Sequence, residues 1–511
     1  MTGRALQDVK TKYQASPSFS IGESVVFSSF LFLFYFLPLT LGLYYTVPQT
    51  WRLGVLTLLS YVFYGWTNPL YVPLMWFSSS IDYVAGGIIA ADAKRAGDQL
   101  GGGHTFRQRA ALVISVSSNL ALLGFFKYFN FGADAYRHLM LQLGWSEHVP
   151  DALWQITLPL GISFYTFQSL SYTIDIYRGE ARPARSFLDF ACYVSLFPQL
   201  VAGPIIRFQD LADQLIVRTH TAEKFSRGVL LFQLGLAKKV ILANPCGSVA
   251  EAAFNAGTLE CFQAWWGLLG YSLQIYFDFS GYSDMAIGLG LMFGFVFPEN
   301  FNSPYLSASF SEFWRRWHIT LSTWLREYLY IPLGGNRHGR LRTYLNLFLV
   351  MLLGGLWHGA AWNFVIWGAY HGLLLAGERA YREIRGHRDT IPVSNRAIPR
   401  SVRVAAVFCI VALGWVLFRA HDIAHAGRYY AALAGLAAPQ SATALLWSLM
   451  FQPYHVLSLA AGAVVVWCCP TAWNFTAQQT WPKAAWAGIL FLLSIVLLAT
   501  QQYNPFIYFL F

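Results

Sequence analysis

Apolar residues in this chain come in runs of membrane-spanning length, separated by short polar or turn-forming stretches. Read with a window of about 19 residues, the runs fall near 25–47, 51–66, 70–91, 109–130, 157–177, 187–202, 228–244, 262–296, 343–376, 402–419, 449–469 and 483–500. One helical crossing of a bilayer takes roughly 17–25 residues. Most runs hold one span; 262–296 and 343–376 are long enough for two spans or a broken helix. Backbone groups in hydrocarbon must satisfy one another, which restricts spans to helices unless protein or a cavity shields them. The pattern predicts an all-α polytopic integral membrane protein with about 11–14 embedded helices. It contains no solenoid-like period and no low-complexity tract.

Composition agrees. The 511 residues are 56% hydrophobic and only 12% charged, against about 25% charged in soluble domains. The net charge of +10 would suggest nucleic acid in a soluble protein, but membrane proteins collect Lys and Arg in cytoplasmic loops. Nucleic acid is not an expected partner. Lys94, Arg95, Arg107 and Arg109, and then Arg178, Arg182 and Arg185, mark two loops as cytoplasmic. The loop between them, 132–156, carries Asp134, Glu147 and Asp151 against Arg137 alone and reads as external. Counting back places the N-terminus outside, although Arg4, Lys10 and Lys12 pull the other way. The six cysteines (Cys192, Cys246, Cys261, Cys409, Cys468, Cys469) have no CxxC or metal-ligand spacing. They read as inert core thiols.

Ionisable groups at membrane depth cost at least about 2.5–3.5 kcal/mol each. Tyr271 to Met292 places Gln274, Asp278, Ser280, Tyr282, Ser283 and Asp284 in an apolar stretch, with Gly281 as a break or close-approach point. These residues either line a water-filled or substrate cavity, or Asp278 and Asp284 are counterions to nearby arginines. Six positions apart, the two carboxylates point to different faces of a helix, which argues against an acid/base dyad.

From Phe313 to Gly339, a helical wheel puts Trp314, Trp317, Leu321, Trp324, Leu325 and Tyr328 on one face and Arg315, His318, Ser322 and Arg326 on another. Composition favours an amphipathic helix lying in the membrane interface. The alternative turns Arg315, His318 and Arg326 inward, toward an anionic ligand such as a nucleotide or CoA phosphate. The turn Pro332 to Arg337 ends the segment.

The third polar island lies between Leu352 and Leu373. Gly354, Gly355, Gly359 and Gly368 permit close backbone approach, and His358 sits among them. A histidine on an apolar helix is commonly a hydrogen-bonded core residue, but packing glycines requires none, and a neutral imidazole can take a proton from a hydroxyl. His358 is thus the leading catalytic candidate, with His371 behind it. No G-x-S-x-G elbow, Walker A loop or H-E-x-x-H motif is present, so any nucleophile comes from a substrate or partner. A transporter would also place polar residues in spans, but paired broken segments in two halves are not seen.

At these residues the chain resembles the membrane-bound O-acyltransferase (MBOAT) family, and within it the bacterial alginate O-acetyltransferase branch. The resemblance rests on Val26 to Ser29, Leu158 to Gly179, Phe197 to Phe208, Tyr276 to Gly290, Glu299 to Asn302, Phe313 to Gly339 and Met351 to Trp362. It implies a ring of transmembrane and re-entrant helices around a central funnel, forming one domain over 25–511 with its catalytic core at about 157–376. Residues 1–24 are expected to be an N-terminal extension, non-native or disordered, with translation starting at or near Val25 or Val26. It also implies that His358 is catalytic and His318 the second functional histidine. Arg315, Arg326, Asp278, Asp284, Tyr282, Asn302 and Trp357 become donor-binding or tunnel candidates.

The implied reaction moves acetyl from a cytoplasmic donor, acetyl-CoA, to a secreted exopolysaccharide such as alginate or cellulose, in the bacterial inner membrane. It proceeds directly or through a periplasmic acetyltransferase or other polysaccharide-modifying partner, with no permanently bound cofactor and no metal. A teichoic acid, lipid or peptide acceptor is the alternative within the family.

Overall fold

The computed structural model describes residues 26–95, 104–149, 155–386, 398–436, 443–501 and 504. The expected extension at 1–24 lies outside them. Among the described residues every regular element is helical. We number the eight helices that frame the interior: α1 (Tyr71–Arg95), α2 (Phe106–Gln142), α3 (Ile162–Arg178), α4 (Ala222–Ala237), α5 (Cys261–Met292), α6 (Arg340–His358), α7 (Trp362–Ile384) and α8 (Arg400–Arg419). Around them lie Leu37–Thr46, Arg52–Gly65, Phe187–Ser195, Asn244–Phe254, Ile423–Leu433, Pro453–Cys468 and Trp481–Thr500.

Among the described residues, five helices are long and apolar enough to cross a membrane: Tyr71–Ala93, Phe106–Gln142, Ala222–Phe254, Arg400–Arg419 and Trp481–Thr500. Shorter apolar helices add Phe32–Thr46, Arg52–Gly65 and Pro453–Cys468. The chain is a multi-pass membrane protein. Helix α2 outruns its apolar stretch: its 37 residues extend about 55 Å, against a hydrocarbon core of about 30 Å. A capping box starts it, Thr105 Oγ1 accepting from the Gln108 amide and Gln108 Oε1 from the Thr105 amide.

The two long apolar runs part ways. The run 262–296 forms a single unbroken helix, α5, whose side chains from Gly270 to Met292 are all buried. Gly281 does not break it. It provides the close approach instead: a Cβ there would lie 2.7 Å from the Gly235 carbonyl oxygen, and one at Gly235 would lie 2.5 Å from that of Gly281. Gly228 and Gly288 repeat this one heptad away, so α4 and α5 pack antiparallel with backbones touching. Faced by protein rather than lipid, α5 can carry polar residues along its whole length.

The run 343–376 does break, into α6 and α7, with His358 as the last helical residue and Gly359 extended. Gly355 and Gly368 bring these two helices together, a Cβ at Gly355 falling 2.3 Å from the Phe364 oxygen. Gly354 makes only ordinary contact. Of the cysteines, only Cys192 and Cys246 are core residues; Cys261, Cys409, Cys468 and Cys469 are exposed. An apolar run in a membrane protein buries only the face turned to its neighbours.

Candidate active site

The segment expected as one amphipathic helix is broken at its histidine. Phe310–Arg316 is helical, Trp317 is extended, His318 has φ 43° and ψ 57°, and helix resumes at Ile319–Leu325. This break cancels the wheel: His318 is buried, whereas Arg315 and Arg326 are exposed. Nor does the segment lie on the membrane, since Trp317, Leu321, Trp324 and Tyr328 are all in the core. It forms a hairpin with its apex at Trp317-His318. One leg starts where the amides of Phe310 and Ser311 donate to Glu378 on α7, and the other ends where Tyr328 Oη donates to Asp175 on α3 at 2.6 Å. Both ends of the hairpin thus lie toward the Lys/Arg-rich end of the bundle, beside Arg178 and Arg382.

A left-handed backbone costs a non-glycine residue about 1–2 kcal/mol and persists where its surroundings dictate it. Here Asn300 dictates it. Its backbone oxygen accepts from the Ile319 amide at 2.9 Å, and its Oδ1 accepts from Thr320 Oγ1 at 2.9 Å and from the Thr320 amide at 3.3 Å. Asn300 Nδ2 donates to Ser283 on α5 at 3.0 Å. His318 Nδ1 lies 3.1 Å from the same Oδ1. With Oδ1 serving as acceptor, Nδ1 carries the proton and Nε2 holds the lone pair. His318 Nε2 is buried and has no hydrogen-bond partner among the described residues.

His358 is held differently. It ends α6, where the last carbonyls lack intrahelical partners. Two consecutive residues of α2 supply them: Tyr128 Oη donates to the Leu356 oxygen at 2.5 Å, and Lys127 Nζ donates to the Trp357 oxygen and, at 3.0 Å, to that of His358. An ammonium at a helix C-terminus also suits the macrodipole. The half-buried imidazole makes no hydrogen bond among the described residues. It sits edge-on among Trp357, Trp367 and Phe418, with centroids 4.8, 5.2 and 5.1 Å away.

Aromatic rings link the two histidines. Trp357 stacks on Phe167, which stacks at 3.8 Å on Trp324 of the hairpin; Trp367 packs on Trp314 and Trp415, and Trp415 on Trp317 beside His318. His371 is fully buried behind Trp367, 4.9 Å from its ring.

The remaining candidates scatter. Asp278 and Asp284 are counterions, but to lysines rather than arginines: Lys239 Nζ lies 2.6 Å from Asp278 and Lys238 Nζ 2.6 Å from Asp284. Both lysines lie in a π-helical stretch, Lys238–Ala243, that continues α4. Tyr282 stacks on Phe27 in an aromatic cluster. Asn302 pairs its backbone with Arg316; the asparagine that reaches a histidine is Asn300. Arg326 pairs with Glu327 at the surface, and Arg315 is exposed without an ion-pair partner among the described residues. Sequence reasoning missed Asn300, Lys127 and Tyr128. Lys127, a lone ammonium in the run 109–130, was a visible signal.

Comparison with known proteins identifies the family. Residues 180–418 match the model of the MBOAT, membrane-bound O-acyltransferase family. The chain is 44% identical to the probable alginate O-acetylase AlgI of Pseudomonas putida, over 95% of this chain and all of that protein. It is 42% identical, over the same shares, to the probable alginate O-acetylase AlgI of Azotobacter vinelandii. The peptidoglycan O-acetyltransferase of Helicobacter pylori is 34% identical over 81% of this chain and 80% of its own length. The chain belongs to the membrane-bound O-acyltransferase family and is an acyltransferase.

Proposed function

We infer that the chain transfers acetyl from acetyl-CoA to hydroxyls of a secreted exopolysaccharide, alginate or a similar glycan. Transfer is direct or through a periplasmic partner, and the enzyme sits in the bacterial inner membrane. The observation that carries the reading is that one cluster of aromatic rings joins two histidines: one at the apex of a hairpin rising from the Lys/Arg-rich end, the other at the end of a helix that starts there. A donor entering from the cytoplasm and an acceptor from outside would meet between them.

His358, whose ring makes no hydrogen bond among the described residues, takes the proton from the attacking hydroxyl. The oxygen bonds to the acetyl carbonyl carbon, the carbon–sulfur bond breaks, and the proton passes to the departing thiolate. His318 orients the acceptor by accepting, through its Nε2 lone pair, a hydrogen bond from a neighbouring hydroxyl of the same sugar. The thioester is already activated, so the protein contributes mainly orientation and a base. Arg315 is the better candidate for a donor phosphate, since Arg326 is already paired.

Replacing His358 with alanine at the natural locus is expected to abolish polymer O-acetylation while membrane levels stay normal. Loss of a general base costs about 10²–10⁴-fold. Unchanged acetylation at normal levels overturns the assignment. Measuring peptidoglycan O-acetyl content in the same strains separates the glycan acceptor from the wall acceptor of the Helicobacter relative.

A further inference from the structure

Away from His318 and His358, three basic residues converge on one tyrosine, and a fourth stands beside them. Tyr44 Oη donates to the Phe293 carbonyl at 2.9 Å, accepts from Arg218 Nε at 3.0 Å and lies 2.9 Å from His220 Nε2. The Arg52 guanidinium covers the rings of Tyr44 and Tyr45, at 5.5 and 5.4 Å. Lys224 follows in the first turn of α4, its ammonium held by Thr219. None of the four has an ion-pair partner among the described residues, and Arg52 makes no side-chain hydrogen bond there at all. The charges acting on His220 are those of Arg218, Arg52 and Lys224, all positive.

Such a grouping repels itself unless an anion joins it, and two guanidiniums with a histidine offer the donor set that suits phosphate. Its setting indicates which phosphate. The cluster lies at the chain reversal between Leu37–Thr46 and Arg52–Gly65. Leu39, Leu43 and Leu58 on these helices are exposed as lipid-facing residues are, while Tyr45 and Trp51, the latter 68% exposed, stand at the rim as an interfacial aromatic belt does. Basic groups between membrane helices at that depth face lipid headgroups.

We propose that Arg52, Arg218 and His220, gathered around Tyr44, form a binding site for the phosphate of an anionic phospholipid headgroup, separate from the acyl-transfer site. The test uses the full chain in nanodiscs of phosphatidylcholine, with and without phosphatidylglycerol, reading bound lipid by native mass spectrometry and thermal unfolding in parallel. In the wild type, phosphatidylglycerol is retained and raises the unfolding temperature. The double variant Arg52→Gln/Arg218→Gln is expected to bind it on the order of tenfold more weakly while melting normally in phosphatidylcholine alone, and Arg52→Lys/Arg218→Lys to recover most of the binding.

If the double variant does not fold, Arg52→Gln alone carries the test, because that guanidinium leaves no hydrogen-bond partner behind among the described residues. Phosphatidylglycerol binding unchanged by Arg52→Gln overturns the proposal. So does displacement of the effect by millimolar inorganic phosphate or acetyl-CoA, which would assign the cluster to a soluble phosphate.

Discussion

The two histidines occupy two helix breaks that the chain secures in opposite ways. At His318 the ring is tied: Asn300 fixes its tautomer and also bonds the backbone amides of the two residues that follow this left-handed position. At His358 the backbone is tied by Lys127 and Tyr128, and the ring is left to its aromatic neighbours. One imidazole is therefore preset, with a lone pair aimed in one direction. The other is anchored at its root and can accept and release a proton without breaking a protein hydrogen bond. For a reaction in which one group orients and the other shuttles a proton, that is a sensible division.

The sharpest way to break the comparison is to remove the tether of the first ring. Asn300→Ala strands His318 Nδ1, Thr320 and Ser283 in a buried site, at about 1–3 kcal/mol for each unsatisfied group, and frees the strained turn. Acetyl transfer in membranes should fall about a hundredfold, the scale of an ångström of misplacement. Activity within a few-fold of wild type would mean that the ring's orientation does not matter. Lys127→Met tests the second tether by removing both of its carbonyl contacts and should lower kcat about tenfold, equivalent to about 1.4 kcal/mol of barrier. The KM for acetyl-CoA should stay put, and Lys127→Arg should restore most of the rate. A matching loss in the arginine variant would show that packing, rather than a cation at the helix end, is what the site needs.

The sequence disclosed these two regions unequally. The break at His358 was legible because Gly355, Gly359 and Gly368 crowd a run too long for one span. The break at His318 was not, because residues 313–328 satisfy a helical wheel throughout. What interrupts them is a tertiary contact, Asn300 against Ile319 and Thr320, that no periodicity records. The same contact explains the choice of Asn302 over Asn300 within Glu299 to Asn302: neighbouring asparagines are equivalent in one dimension. Asp278 and Asp284 were recognised as needing cations, but their partners come from a π-helical stretch that turns Lys238 and Lys239 toward α5. Lys127 was readable, since an ammonium in an apolar run of this kind needs a reason.

The smallest expected effect concerns the arginines flanking the hairpin. Both were candidates for the donor's phosphates because a continuous helix would have put them on the face of His318. The break at Trp317-His318 separates them, leaving Arg326 bonded to Glu327 through Nε at 3.0 Å and Nη2 at 2.5 Å, while Arg315 has no such partner among the described residues. An exposed pair such as Arg326–Glu327 contributes about 0–1 kcal/mol, so Arg326→Gln should change the KM for acetyl-CoA by less than about twofold. Arg315→Gln, which removes an unpaired cation, should raise it about fivefold, the size of a contact near 1 kcal/mol. Measured side by side in membranes, the reverse order would place the donor's approach on the descending leg of the hairpin, past Glu327 and Arg178, rather than on the leg that rises through Arg315.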